Sequence, residues 1–221
     1  MGEIEMRWEN VYFLSWPFSP VEVAQELPER LSIDRFDKRA YVSVVGFNME
    51  SMRPSGFPNW MSVSFTEINL RTYVVGPHGR PGIYFFTLDA DDRLSSALGR
   101  WMTGLKYRRT IAEVQYQDGK IHTEDVDNGE ELLRAEIDYG NPLLDNDELA
   151  AFLCERYRFF SDAGELYTGI VEHDSWVLRH ASTRIDNLGL FRDCGLPRPD
   201  IEPHALFSEG VKVRANILQR A

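Results

Sequence analysis

Two turn dipeptides ten residues apart, Asp118-Gly119 and Asn128-Gly129, constrain this chain more than any other feature in it. Asp-Gly and Asn-Gly tolerate the positive φ angles that two-residue hairpin turns demand. The β-rich runs around them, Arg109–Tyr116, Gly119–Val126 and Glu131–Asp138, are therefore expected to lie side by side and antiparallel. The same pattern recurs elsewhere. Ala40–Met49 is apolar on both sides and reads as a central strand, and Phe65–Val75 and Ile83–Leu88 form a hairpin across Gly76–Gly82. Glu165–His173, Trp176–Ile185 and Val211–Leu218 complete the strands.

Helical signals are few. Ser19-Pro20-Val21-Glu22 offers an N-cap, a first-turn proline and an acid near the positive helix end. Leu94, Leu98, Trp101 and Met102 share a helical face, as do Leu149, Phe152, Leu153 and Tyr157, and Asn187–Asp193 reads as a short helix. Many antiparallel strands joined by tight turns, with few helices, predict an α+β fold: a closed or nearly closed antiparallel barrel or cone with short helices outside. No linker, repeat or low-complexity segment divides residues 1–221, so one domain is expected.

The strand Phe65–Val75 poses the functional question. Alternation puts Ile68, Leu70 and Val74 on one side and Phe65, Glu67, Asn69, Arg71 and Tyr73 on the other, successive side chains of a row about 7 Å apart. The first side is core, and Ile68 and Leu70 are expected to pack against an outer helix. The second carries a carboxylate, an amide, a guanidinium and a phenol, and faces either water or a pocket.

Composition narrows the classes of partner. The net charge is −11, which repels nucleic acid and anionic membranes. Four of the 24 basic residues are lysine (Lys38, Lys106, Lys120 and Lys212), and an acidic, lysine-poor chain fits either salt adaptation or a GC-rich genome. The first ten residues hold no apolar signal core, and no stretch approaches the roughly 20 apolar residues of a membrane span, so a cytoplasmic protein with reduced thiols is expected. The partner expected is a small molecule, with a homo-oligomer left open.

Phosphate loops, dinucleotide glycine motifs, nucleophile elbows and zinc-binding helices are missing from the sequence. His78, His122, His173, His180 and His204 are scattered, and neither a metal nor a cofactor is expected. Cys154 falls within an apolar helix pattern and Cys194 at a helix end, both structural positions. Gly104–Thr110 crowds Lys106, Arg108 and Arg109 around Tyr107. Adjacent cations lower a lysine's pKa and can make it a nucleophile toward carbonyls, whereas the plain alternative is a solvated turn.

Five ordered blocks carry a resemblance: Leu27–Asp37, Phe65–Val74, Gly82–Ala90, Phe152–Phe160 and Val171–Ala181. From about Arg7 to Val213 the chain resembles the YqjF-like family of uncharacterised conserved prokaryotic proteins. More remotely it is similar to acetoacetate decarboxylase, a β-barrel or cone around a pocket. That resemblance places a catalytic-site glutamate at Glu67 and a His-x-x-Trp segment at His173–Trp176. It also implies that Glu67, Asn69, Arg71 and Tyr73 line the interior.

The departures matter as much. Counted without gaps from Gly99, the Schiff-base lysine position holds Tyr107, which cannot form an imine, and a neighbouring second lysine is Arg108. Lys106 is one position off and would turn inward only if the strand were bulged at Gly104. The family's second pocket glutamate has no counterpart in Ala40–Asn48, and its N-terminal arginine falls near Glu9. Acetoacetate decarboxylation is therefore not expected.

The reading that follows is a pocket for a small carboxylate- or carbonyl-bearing molecule. Arg71 and Arg108 would pair with the anion, Asn69 would orient it with Tyr73 beside it, and Glu67 and Tyr107 would supply acid/base groups. A lyase- or hydratase-type enzyme using Glu67 and Tyr107 without a Schiff base is the alternative. A structural protein whose barrel is filled by its own side chains is the third.

Overall fold

The computed structural model describes residues 3–91, 105, 107–143, 147–162, 164–216 and 219–221. The sequence expectations for a helix carrying Leu94 to Met102, and for Lys106, fall outside these residues.

Long strands dominate. They are β1 (Glu3–Phe18), β2 (Ser32–Ile33), β3 (Ala40–Pro54), β4 (Val63–Gly76) and β5 (Arg80–Ala90), followed by the two-residue β6 (Arg108–Arg109). Next come β7 (Ile111–Gln117), β8 (Lys120–Asp127) and β9 (Glu130–Pro142), then β10 (Arg158–Asp162) and β11 (Leu166–His173). The chain ends with β12 (Arg179–Leu188), β13 (His204–Asn216) and β14 (Gln219–Arg220). Among the described residues three short α-helices lie between them: α1 (Pro20–Gln25), α2 (Glu148–Cys154) and α3 (Leu190–Asp193). The hairpin turns behave as their residues require, with φ of 53° and 82° at Asp118 and Gly119 and of 51° and 85° at Asn128 and Gly129.

Hydrogen bonding runs β11-β10-β5-β4-β3-β1-β13, and β11 also pairs with β13, so the ladder returns on itself as a cone. The sheet continues beyond β13 as β12-β9-β8-β7. This antiparallel extension folds back over the outside of β1, β3 and β4. Ile68 and Leu70 consequently pack with Ala112, Val114, Ile121 and Ile137 of the extension, together with Val23 of α1 and Phe191 of α3. The sequence expectation of an outer helix over Ile68 and Leu70 is thus corrected: mainly strands cover them, because β7, β8 and β9, joined by two hairpin turns, present a second apolar sheet face. No helix among the described residues is long and apolar enough to cross a membrane.

A second apolar layer fills the inside of the cone. Phe13, Val45, Phe47, Phe65, Tyr73 and Leu88 belong to it, and so do Ala150, Leu153 and Cys154 of α2. Asp147 caps α2 by accepting a hydrogen bond from the Ala150 amide (2.9 Å). Every residue from Phe65 to Val74 is buried, since β4 has one face on each layer.

The sequence reading missed β1, the strand between β3 and β13. Its apolar run Val11–Trp16 was a legible β signal. Its alternation is broken, however: a register shift between Glu9 and Tyr12, with Asn10 at φ 53°, changes which parity faces inward. Trp8 therefore packs against the inner layer along with Val11 and Phe13, while Tyr12, Leu14 and Trp16 face outward into the other.

Candidate functional site

The interior of the cone holds a pocket of about 790 Å³ of atom-free space, mouth included, of which about 70 Å³ is open to the centre of a water-sized molecule. Its wall is mostly apolar, with a few polar groups from β4 and the segment leading into β6.

Alternation along β4 delivers Glu67, Asn69 and Arg71 to that wall. The Glu67 carboxyl is 4% exposed and accepts two hydrogen bonds, from the Tyr107 phenol on Oε2 (2.8 Å) and from Asn69 Nδ2 on Oε1 (3.0 Å). Burial pushes its pKa up from 4.5 to about 7, against the opposing pull of those two bonds and of the Arg71 charge. Tyr107 is partly buried against the inner layer, and burial together with the Glu67 charge pushes its phenol well above the ordinary tyrosine range. The pair thus keeps its tyrosine neutral while the carboxyl can exchange a proton near neutrality.

Arg71 is 7% exposed. Its Nη2 donates to the Leu153 carbonyl at the end of α2 (3.2 Å), and its guanidinium lies over the Phe13 ring (5.5 Å). The Nε is buried without a partner, and among the described residues no carboxylate lies within 4.0 Å of the guanidinium. Two further lining residues hold partnerless buried atoms, Oδ1 of Asn69 and Nε1 of Trp8. Buried donors and acceptors without partners destabilise a fold by about 1–3 kcal/mol each, so three on one wall mark a surface built for something other than packing.

Tyr73 shares the β4 row but sits behind the wall, fully buried, donating to the Leu153 carbonyl (3.0 Å) and bonded to the Ser43 hydroxyl (2.8 Å). Arg108 is placed away from the pocket. It grips Asp89 with Nε (2.6 Å) and Nη2 (2.8 Å) and reaches Asp193 with Nη1 (2.5 Å), so its charge is committed to fastening β6 to β5 and α3. The expectation that Arg108 meets the ligand anion is corrected here: on β6, Arg108 points to the side opposite Tyr107, as alternation dictates. Asp89 and Asp125 beside it are fully buried, and burial followed by the Asp89 charge raises the Asp125 pKa. Among the described residues the pocket wall contains no lysine.

Arg156, expected from sequence only as a basic residue near a helix end, and Trp8 were not among the expected site residues. Arg156 lines the pocket from beyond α2, paired with Asp34 (2.7 Å) and lying over the Phe152 ring (4.2 Å). Trp8 lines the pocket with His173 and Trp176, the latter ring stacked 6.1 Å away. Cys154 also lines the wall, and burial raises its thiol pKa, which keeps it a neutral thiol.

Residues 5–212 match the DUF2071 family, described as uncharacterized conserved protein. The chain belongs to the DUF2071 family. This DUF2071 chain is 28% identical over 203 residues to the uncharacterized protein YqjF of Bacillus subtilis (strain 168), covering 89% of its own length and 83% of that protein. Solved structures similar to it include the enduracididine biosynthesis enzyme MppR complexed with pyruvate, with a TM-score of 0.71 at 11% identity over 100% of this chain and 90% of that one. Acetoacetate decarboxylase from Legionella pneumophila has a TM-score of 0.68 at 13% identity, over 98% and 86%. An acetoacetate decarboxylase-like enzyme from Sphingomonas wittichii RW1 has 0.67 at 14%, over 99% and 92%. At these identities the likeness establishes the fold, an acetoacetate decarboxylase-like cone.

Proposed function

We propose that this DUF2071 protein binds a small organic carboxylate inside the cone, with Arg71 as its counter-ion and Asn69 as an orienting group. The observation that carries the reading is the buried Arg71 guanidinium on the pocket wall, with Nε unpartnered and no carboxylate within ion-pairing distance among the described residues. A buried cation without an anion is unfavourable, and a ligand carboxylate is the group that resolves it. MppR, of similar fold, binds pyruvate in a solved complex, which supports a short keto acid as the first probe. A barrel filled by its own side chains fits poorly, because open space remains inside the cone beside these groups.

The test is calorimetric titration of pyruvate and other short carboxylates into the wild type and Arg71→Gln. Binding to the wild type that weakens at least tenfold in the variant supports the reading. No binding to the wild type at millimolar concentrations refutes it.

Acid/base turnover without a Schiff base is the second reading, and the Glu67–Tyr107 hydrogen bond with a Glu67 pKa of about 7 favours it. Glu67 would remove a proton next to the ligand's carbonyl while Tyr107 steadies the carboxyl. Exchange of the pyruvate C3 protons in D2O, followed by NMR and lost in Glu67→Gln, is the result expected. Exchange that proceeds equally in both proteins removes this reading and leaves a binding pocket.

A further inference from the structure

The pocket wall changes character along its length. Across from β4, successive inward positions of β3 are Val45 opposite Asn69, Phe47 opposite Glu67, Met49 opposite Phe65, and Met52 opposite Val63. Each regular step carries the wall about 7 Å further from Arg71. Met6 of β1 joins Met49 and Met52, so three of the chain's six methionines line this one pocket. Ala215 and Val171, paired with each other, complete that end.

Met49 and Met52 should face opposite ways on a regular strand, being three residues apart. They do not, because the register shifts between them and Ser51 takes φ 55°. A backbone distortion at a non-glycine residue brings the second thioether inside.

We propose that the ligand is an amphipathic acid whose carboxylate lies at Arg71 and whose apolar substituent extends along the pocket to the methionine end. The proposal rests on the reading of the pocket as a carboxylate site. Methionine suits such a role, since its unbranched, polarizable side chain has three rotatable bonds and repacks around different shapes. The open space of the pocket at rest suits a short acid. Longer substituents are admitted by displacement of the flexible thioethers rather than of the backbone. Trp8, opposite Met49, adds one unpartnered N–H at that end, which would accommodate a single acceptor on the substituent.

Pyruvate, 2-oxohexanoate, 2-oxooctanoate and 2-oxododecanoate, titrated calorimetrically into the full chain, test the idea. Each added methylene should tighten binding about fourfold, the transfer value of a buried CH₂. In Met52→Leu, of similar volume but stiffer, the gain in affinity from 2-oxohexanoate to 2-oxododecanoate should shrink at least about twofold. A series in which pyruvate binds but affinity is flat or falls with length overturns the apolar end and leaves the carboxylate reading standing. Failure of all four acids to bind overturns both. Hexan-2-one binding as tightly as 2-oxohexanoate shows that the carboxylate is not recognised, and that also overturns the proposal.

Discussion

Replacing Glu67 by glutamine tests whether this carboxyl is as isolated from water as its surroundings imply. In the folded protein its pKa is about 7, against an ordinary value of 4.5, with burial the principal cause. The native state therefore holds a proton that the unfolded chain has already released between about pH 4.5 and 7. Stability must fall as pH rises through that window and level off above it. At ~1.4 kcal/mol per pH unit, the gap amounts to about 3 kcal/mol. Glutamine cannot ionise; its carbonyl can accept from Tyr107, and its amide can donate to Asn69 Oδ1 once the Asn69 side-chain amide turns over. Urea unfolding of both proteins from pH 4.5 to 8.5 isolates the effect as a difference. The variant should gain on the wild type by about 3 kcal/mol between the two ends, or roughly 6–12 °C in Tm for a domain of this size. A constant difference across the whole range would refute the desolvation of Glu67 and, with it, the acid/base reading.

Asp125, fully buried beside Asp89, should behave in the same direction. Asp125→Asn is expected to raise Tm more at pH 8 than at pH 5, and differential scanning fluorimetry at the two values checks it. Gly169 lies against the Phe159 ring, where an added Cβ would collide, so Gly169→Ala should lose about 1–3 kcal/mol in urea unfolding and disturb the pocket wall that Phe159 helps form. Borohydride trapping with acetoacetate should give no covalent adduct by mass spectrometry, because the sequence resemblance to the decarboxylases sets Tyr107, which cannot form an imine, at their Schiff-base position. An adduct that disappears in Lys106→Ala would reverse that expectation and point to covalent carbonyl chemistry.

Much of the site was legible because it depends on a local rule. Side chains alternate along any regular strand, so Phe65–Val75 alone places Glu67, Asn69 and Arg71 on one face, and the wall of the pocket bears all three. The Asp118-Gly119 and Asn128-Gly129 turns were equally local, since positive φ at those positions is a property of the residues themselves. Alternation could not say which row faced space and which faced other strands. That was decided when β7, β8 and β9 folded back over Ile68 and Leu70, a contact between segments at least 40 residues apart in sequence.

Tertiary structure also decided where alternation fails. The shifts beside Asn10 and Ser51 arise from pairing with neighbouring strands, and they carry Trp8 and Met52 inside against the parity that a regular strand would impose from Val11 or Met49. Asparagine tolerates positive φ and offered some signal, whereas serine at position 51 offered none. Charge identity was likewise ambiguous from sequence: Arg71 and Arg108 looked equally able to meet an anion. Folding brings Asp89 and Asp193 to Arg108 and a backbone carbonyl of α2 to Arg71, which leaves one guanidinium neutralised by protein and the other facing the pocket. Local residue chemistry set what each strand could present, and long-range pairing set which of those groups was left without a partner.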